Sequence, residues 1–247
     1  MKIGDRGSTQ NLTGQASTTV TITADTAPGN LLIARVAVDN SGSGGAAPGL
    51  TVTDARGNTW IELGPALQDP GAANAGATCY IAYALVNVQL LTGDLVTFTW
   101  GAGNPVAKAI VIEEWTGIDQ GNPVAVAAVT GNAGSATVSI SISPTAGNQL
   151  VYGACAREGP AGDATTYDSD TTSGTWETLT SLATTSGTAA SNQRIVGQAK
   201  SVDAAGAQTW DLTITSRDHA EIVVVFGGSG GRSQVEALQA VSRAAVY

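Results

Sequence analysis

The chain has little charge, little lysine, almost no sulfur and a single histidine. Charged residues make up 13% of its 247 positions, about half the usual share. Glu, Lys, Arg and Leu are too few beside 31 glycines and 31 threonines for a long-helix or coiled-coil protein. No apolar run approaches the roughly 20 residues of a membrane-spanning helix, and the glycines lack the three-residue period of collagen. Scarce charge does not mean disorder here, because 43% of residues are hydrophobic and Val, Ile and Leu recur throughout. Eleven Lys and Arg against twenty Asp and Glu give a net charge of −9. A surface so poor in cations repels phosphate backbones and anionic bilayers, so neither nucleic acid nor membrane insertion is expected.

The rarity of His and Cys limits the chemistry as well. Cys79 and Cys155 lie in apolar, strand-like runs (TCYIAYALV and LVYGACA) without CxxC spacing, which predicts buried free thiols rather than a disulfide. One His and two distant Cys do not make the spacing of a zinc site. No P-loop or dinucleotide fingerprint is present: Gly42, Gly44 and Gly45 sit in a loop that leads into no helix. The N-terminal MKIGDRGSTQNL has no apolar h-region, so no secretory signal is expected. Yet the Gly-, Thr- and Ser-rich composition resembles that of proteins outside cells. A particle assembled in the cytoplasm and released by lysis, namely a virus, reconciles the two.

What the chain does have is an internal duplication. TVTITADTAPGNLLIARVAV (19–38) is echoed by TVSISISPTAGNQLVYGACA (137–156), and TDARGNTWIEL (53–63) by SDTTSGTWETL (169–179). CYIAYALV (79–86) corresponds to RIVGQAKSV (194–202), and VTFTWGAGNPVAKAIVIEEWTG (96–117) to TWDLTITSRDHAEIVVVFGG (209–228). The offset drifts from 118 to about 111 residues, as changes in loop length would cause. Period-2 alternation (Val20, Ile22; Val96, Phe98, Trp100; Val138, Ile140, Ile142; Leu212, Ile214) marks four or five short strands in each half. Threonine fills the outward positions, where a β-branched polar residue suits a solvated face. Clusters of Gly, Asn, Asp and Pro punctuate the strands. These features predict an all-β protein, a jelly-roll-like antiparallel β-sandwich built from two similar halves. One sandwich to which both halves contribute is preferred over two separate ones.

The predicted organisation is an N-terminal arm over 1–15, the sandwich over 16–228 with repeat units 16–118 and 135–228, and a flexible C-terminal segment over 229–247. That last segment combines a GGSGGRS linker with QVEALQAVSRAAVY. Val235, Leu238, Val241, Val246 and Tyr247 give it an apolar character, as helix or strand, that calls for a partner surface.

Each candidate chemical residue has a structural alternative. Trp60 and Trp176 occupy matching places after a Gly turn and read as plugs of the sandwich core; Trp100 and Trp115 also read as packing residues. Tyr167 and Trp210 are candidate loop aromatics for stacking on a glycan. Glu113 and Glu114 are adjacent in a strand and point to opposite faces, so they cannot converge on a glycosidic bond; one solvated and one inward, hydrogen-bonded carboxylate are expected. His219 with Ser216 and Asp218 does not read as a triad, because sequence neighbours rarely have triad geometry and no nucleophile elbow is present; a surface hydrogen bond to Asp218 or a loop carbonyl is expected instead. Glu158, Asp163, Asp168 and Asp170 are a weak calcium candidate without EF-hand spacing, and Asx turns account for them equally well. No catalytic residue and no cofactor are expected.

The runs GNLLIARVAVDN, VTDARGNTW, CYIAYALV and VTFTW, followed by AREGPAGD, DSDTTSGTW, GTAASNQRIVGQAKSV and TWDLTITSRDHAEIVVVF, resemble a domain common in tailed-bacteriophage structural proteins. The terminal AVSRAAVY is similar to short segments of actinobacteriophage tail proteins. The resemblance covers roughly residues 15–228. It implies a non-enzymatic virion component (minor tail, fibre or decoration protein), assembled in the host cytoplasm. Such a protein docks by its termini on other virion proteins as a homo-oligomer on the particle, and it carries no catalytic residues to transfer. The alternatives are a carbohydrate-binding, host-adhesion module and, less well supported by the residues, a polysaccharide-degrading enzyme.

Overall fold

Thr, Ser or Asp alternates with apolar residues along 17–22, 95–100, 137–142 and 208–214. In the computed structural model each of these forms a strand in which every second side chain, chiefly the apolar ones, is buried. The structure describes residues 1–39, 46–69, 75–101, 103–186 and 188–229. The first half contributes β1 (Lys2–Asn11), β2 (Ser17–Thr21), β3 (Leu31–Val38), β4 (Leu50–Asp54), β5 (Trp60–Gln68), β6 (Ala77–Leu85), β7 (Leu95–Trp100) and β8 (Lys108–Trp115). The second contributes β9 (Val124–Ile142), β10 (Leu150–Glu158), β11 (Thr165–Thr166), β12 (Glu177–Thr178), β13 (Leu182–Ala183), β14 (Gln193–Ser201) and β15 (Gln208–Phe226). All pairings are antiparallel.

In the first half a five-stranded sheet, β1-β8-β3-β6-β5, faces a three-stranded sheet, β2-β7-β4. Apart from β5, which pairs with β6, this is the strand order of a jelly roll. The second half repeats it with longer strands. The 124–135 part of β9 and the 217–226 part of β15 join β10 and β14. Beyond a register shift at Thr213/Arg217, the 137–142 part of β9 and the start of β15 pair with each other, and β15 also pairs with β11. Each half therefore closes a core of its own. Val20, Val36, Phe98 and Ile110 lie in the first, and Val138, Cys155, Leu212 and Val223 in the second. A third core joins the five-stranded sheet of the first half face to face with the β9, β15, β10 and β14 layer of the second: Leu31, Ile33, Ile81 and Trp115 meet Leu150, Tyr152, Ile222 and Phe226. The halves are thus two sandwiches that share a central interface, rather than the single one preferred from the sequence, and this is why β3, β6, β8, β10 and β14 are buried on both faces.

Two expected boundaries move. Residues 1–15, read as an arm, include β1, which pairs along β8 from Lys2↔Trp115 to Asn11↔Lys108. Likewise 124–135, read as lying between the repeats, is the equivalent strand on β15. Both are polar because an outer strand is held by backbone hydrogen bonds and needs few apolar side chains. β1 has a further reason to dock, because its Lys2 and Arg6 are the cationic partners of Glu113 and Glu114.

Those two glutamates do point to opposite faces of β8, but neither is solvated: both are buried. Glu114 accepts hydrogen bonds from Arg6 Nε at 2.5 Å, Ala27 N at 2.8 Å and Asn30 Nδ2 at 2.6 Å. Glu113 lies in the central core, 2.8 Å from Arg35 Nη2 and 3.3 Å from Lys2 Nζ, and it accepts the Tyr152 hydroxyl of the other half. Arg35 Nη2 also donates to the Thr180 carbonyl at 2.8 Å. Arg35 packs against β14 at Gly197, where a Cβ would come 2.8 Å from Arg35 Nη1. Nε and Nη1 of Arg35 make no hydrogen bond, so the pair is incompletely compensated for its desolvation.

Removing one partner strands the other charge. Glu113→Ala is expected to cost about 3–5 kcal/mol, read from urea-denaturation midpoints. The Arg35→Met/Glu113→Leu double variant should recover most of that loss. A double variant no more stable than the single one would contradict this account.

Candidate functional site

The residues singled out from the sequence go to separate places. Trp210 is not a loop aromatic: it is 1% exposed, because β15 begins in the three-stranded layer with this residue facing inward. Its ring covers Gly153 on β10, where a Cβ would lie 2.7 Å from the indole, and its Nε1 donates to Gln198 Oε1 at 3.0 Å. Tyr167 is half-buried against the same core and lines an outer groove of about 440 Å³ with Ser139, Asp168, Asp211 and Thr213. Trp60 and Trp176 are buried, as are Trp100 and Trp115. Cys79 and Cys155 are buried free thiols. The four loop carboxylates turn to different partners: Gly76 N donates to Glu158 at 2.7 Å, Arg217 to Asp163 at 2.9 Å, Asp211 N to Asp168 at 3.0 Å and Lys200 to Asp170 at 3.0 Å. They form no common calcium cage. The Thr172 amide and Lys200 hold the Asp170 carboxyl down to about 2. Val235, Leu238, Val241, Val246 and Tyr247 lie outside the described residues.

His219 departs furthest from expectation. It is buried rather than at the surface, and its partners are neither Asp218 nor Ser216. Side chains alternate along β15, so His219 and Glu221 share the face of Val223 and Val225, toward the second half's own core. His219 Nδ1 lies 2.9 Å from Glu221 Oε2, and its Nε2 lies 3.4 Å from Ser135 Oγ on β9. On β10, Cys155 pairs directly with Glu221. Cys155, His219 and Glu221 bring their donor atoms within 4.8 Å of one another, and all three are buried. Burial first, and then the Glu221 carboxylate, pushes the Cys155 thiol well above its ordinary range. Sequence spacing missed this group because Cys155 lies on a different strand from the other two. The i, i+2 spacing of His219 and Glu221 in a strand was the one available signal.

Ser135, His219 and Glu221 have the connectivity of a nucleophile–base–acid relay. Ser135 Oγ, however, also donates to the Thr137 carbonyl at 3.1 Å, and the imidazole is 1% exposed.

A second polar group joins the halves at the far end of the central interface. Asp39 follows β3 and Glu158 ends β10. Asp39 accepts from Ala107 N at 2.9 Å and from Gln193 Nε2 at 2.9 Å, and Gln193 Nε2 also donates to the Gly76 carbonyl at 2.6 Å. Burial pushes the Asp39 carboxyl up to about 7 against the stabilising donors, and Glu158 adds repulsion. Glu158 is raised by its own burial. Nearby Lys108 is lowered to about 8 by burial, and it donates to the Thr13, Pro105 and Val106 carbonyls.

No family model matches the chain, and neither a curated protein nor a solved structure does.

The Asp39 carboxyl binds its proton more tightly when folded, at about 7 against an ordinary 3.8. Its contribution to stability is therefore complete below pH 4 and is lost as pH rises through 7. Urea midpoints at constant salt should fall between pH 4 and 7, and Asp39→Asn should flatten that slope. An equal slope in the variant would remove Asp39 as its source.

Proposed function

We propose that the chain is a non-enzymatic structural protein of a virion, of the minor tail, fibre or decoration kind that its sequence resembles. The observation that carries this reading is the double jelly roll. Two such units are fixed to each other through a buried Arg35–Glu113–Tyr152 contact and end in two polar outer sheets. Jelly rolls serve widely as capsid and lectin domains, and the step from fold to role is analogy. The outer faces support it. Ser17, Thr99 and Thr51 form one rank across the first three-stranded sheet, and Thr19, Thr97 and Thr53 a second. Hydroxyl-bearing β-branched residues keep a wide sheet soluble while its backbone stays paired. Val88 and Leu91 in the β6–β7 connection and Leu95 at the start of β7 are exposed and offer contacts to neighbouring subunits.

Docking is assigned to the C-terminal residues of the 229–247 segment. The chain reaches them from Ser229, whose amide donates to the Gly117 carbonyl at 2.8 Å, beside a groove of about 510 Å³ lined by Ile118, Asn122 and Gly147. A chain ending at Ser229 should keep the thermal midpoint of the full protein but no longer co-sediment with purified particles. Particles that contain no copy of the full chain, or that take up the truncated one equally, would refute the assignment.

The Tyr167 groove favours a second reading, adhesion to a host glycan. A half-exposed aromatic beside the Asp168 and Asp211 carboxylates and the Ser139 hydroxyl suits a sugar ring and its hydroxyls. Tyr167→Ala should then weaken binding to host-envelope polysaccharide by about tenfold, roughly 1.4 kcal/mol. Absence of binding by the full chain would exclude it.

A further inference from the structure

We propose that Cys155, His219 and Glu221 form a binding site for a divalent transition metal of the zinc type inside the second jelly roll. The three donor atoms, one sulfur, one nitrogen and one oxygen, already lie within 4.8 Å of one another. Zinc bonds of about 2.3 Å to sulfur and 2.0–2.2 Å to nitrogen and oxygen place tetrahedral donors roughly 3.3–3.6 Å apart. Closing the group on an ion therefore needs side-chain adjustments of about an ångström or less at each donor. Thiolate, imidazole and carboxylate together suit zinc and its neighbours, whereas calcium and magnesium prefer all-oxygen shells.

Comparison of the two halves shows that the fold does not require these residues. β3 pairs with β8 from Leu31↔Trp115, and β10 pairs with β15 from Leu150↔Phe226. Counting inward from those anchors, Cys155 takes the place of Val36, Glu221 that of Ile110 and His219 that of Lys108. Val36 and Ile110 are ordinary core residues of the first jelly roll. The same frame thus carries two aliphatic side chains and a lysine at these places in one half, and a buried thiol, carboxylate and imidazole in the other. The neighbouring strand has changed to match. Opposite Ile110 stands Thr9, while opposite Glu221 stands Gly131, where a Cβ would lie 2.5 Å from Glu221 Oε1.

The surroundings fit an ion. Cys155 Sγ is engaged only by a weak 3.7 Å contact to the Ala156 carbonyl among the described residues. Glu221 has His219 as its hydrogen-bond partner, and a dication supplies the compensation a buried carboxylate needs. The ion would meet Nδ1 of His219, the nitrogen that faces Glu221. Ser135 Oγ beside Nε2 would then orient the ring from behind, as outer partners of ligating histidines do. Arg157, paired with His219 across the sheet, has its guanidinium on the Asp163 and Ala164 carbonyls and the Thr165 hydroxyl.

The test uses the full chain, stripped with a chelator and kept reduced. Calorimetric titration with zinc chloride should give one tight site per chain, and zinc should raise the thermal midpoint. Cobalt(II) in its place should produce a thiolate-to-cobalt charge-transfer band and the strong visible absorption of a tetrahedral ion. Cys155→Val and Glu221→Ile, which install the residues of the first half, should each weaken binding at least about tenfold, or 1.4 kcal/mol. The charge-transfer band should vanish in Cys155→Val and persist in Cys79→Ala. A parent chain that binds neither metal overturns the proposal whether or not the variants fold. So does a cobalt–thiolate band of undiminished strength in folded Cys155→Val.

Discussion

The contact between Arg35 and Glu113 sits where two apolar sheet faces meet, and through Tyr152 and the Thr180 carbonyl it restricts how those faces can pack. Apolar faces alone would attract each other in many registers, because burial is non-directional. A buried charge pair with one hydroxyl partner from the opposite sheet, Tyr152, has far fewer acceptable geometries. Several other features follow from it. Gly197 has no side chain because Arg35 packs against it, the Thr180 carbonyl turns inward to meet Nη2, and β1 brings Lys2 to the carboxylate. The central interface is thus restricted by a pair that contributes little net stability, while the surrounding aliphatic and aromatic packing supplies most of the cohesion.

The duplication has been conserved in backbone and relaxed in content. Leu31 and Leu150, Trp115 and Phe226, Trp60 and Trp176 hold the same places in the two halves. The arrangement of charge is not repeated: the counterparts of Arg35 and Glu113 are Ala154 and Val224. One half therefore provides the polar lock of the interface, and the other provides the buried Cys155–His219–Glu221 group. A jelly roll tolerates this exchange because both faces of its larger sheet are covered, so a polar cluster on either face is shielded and finds partners across it.

Placement and parity decide what each residue can do. A shift of one residue in a strand moves every side chain to the other face. The sequence match that aligns GN at 29–30 with GN at 147–148 runs one residue out of step by β10, where Leu31 corresponds to Leu150 and Gln149 is the extra residue. Gln149 accepts from the Thr145 and Ala146 amides and so closes the preceding turn. The register of β10 in turn puts Tyr152 into the shared core and Cys155 into the private one.

Alternation of Thr with aliphatics, punctuating glycines and four collinear matches between the halves were enough, from the sequence alone, to define an all-β jelly-roll protein in two similar halves with buried thiols and core tryptophans. Those properties are local, because a strand's two faces are written in every second residue. What required the tertiary structure was everything that depends on which strands become neighbours. The polar N-terminal segment became a sheet strand because partners for its cations, Glu113 and Glu114, lie more than a hundred residues away. Trp210 moved from candidate contact to core because β15 crosses from one layer to the other beside Gly153. Cys155 met His219 and Glu221 because an antiparallel register brought two distant strands together, and such a register is fixed by the energy of the whole sheet rather than by any local spacing.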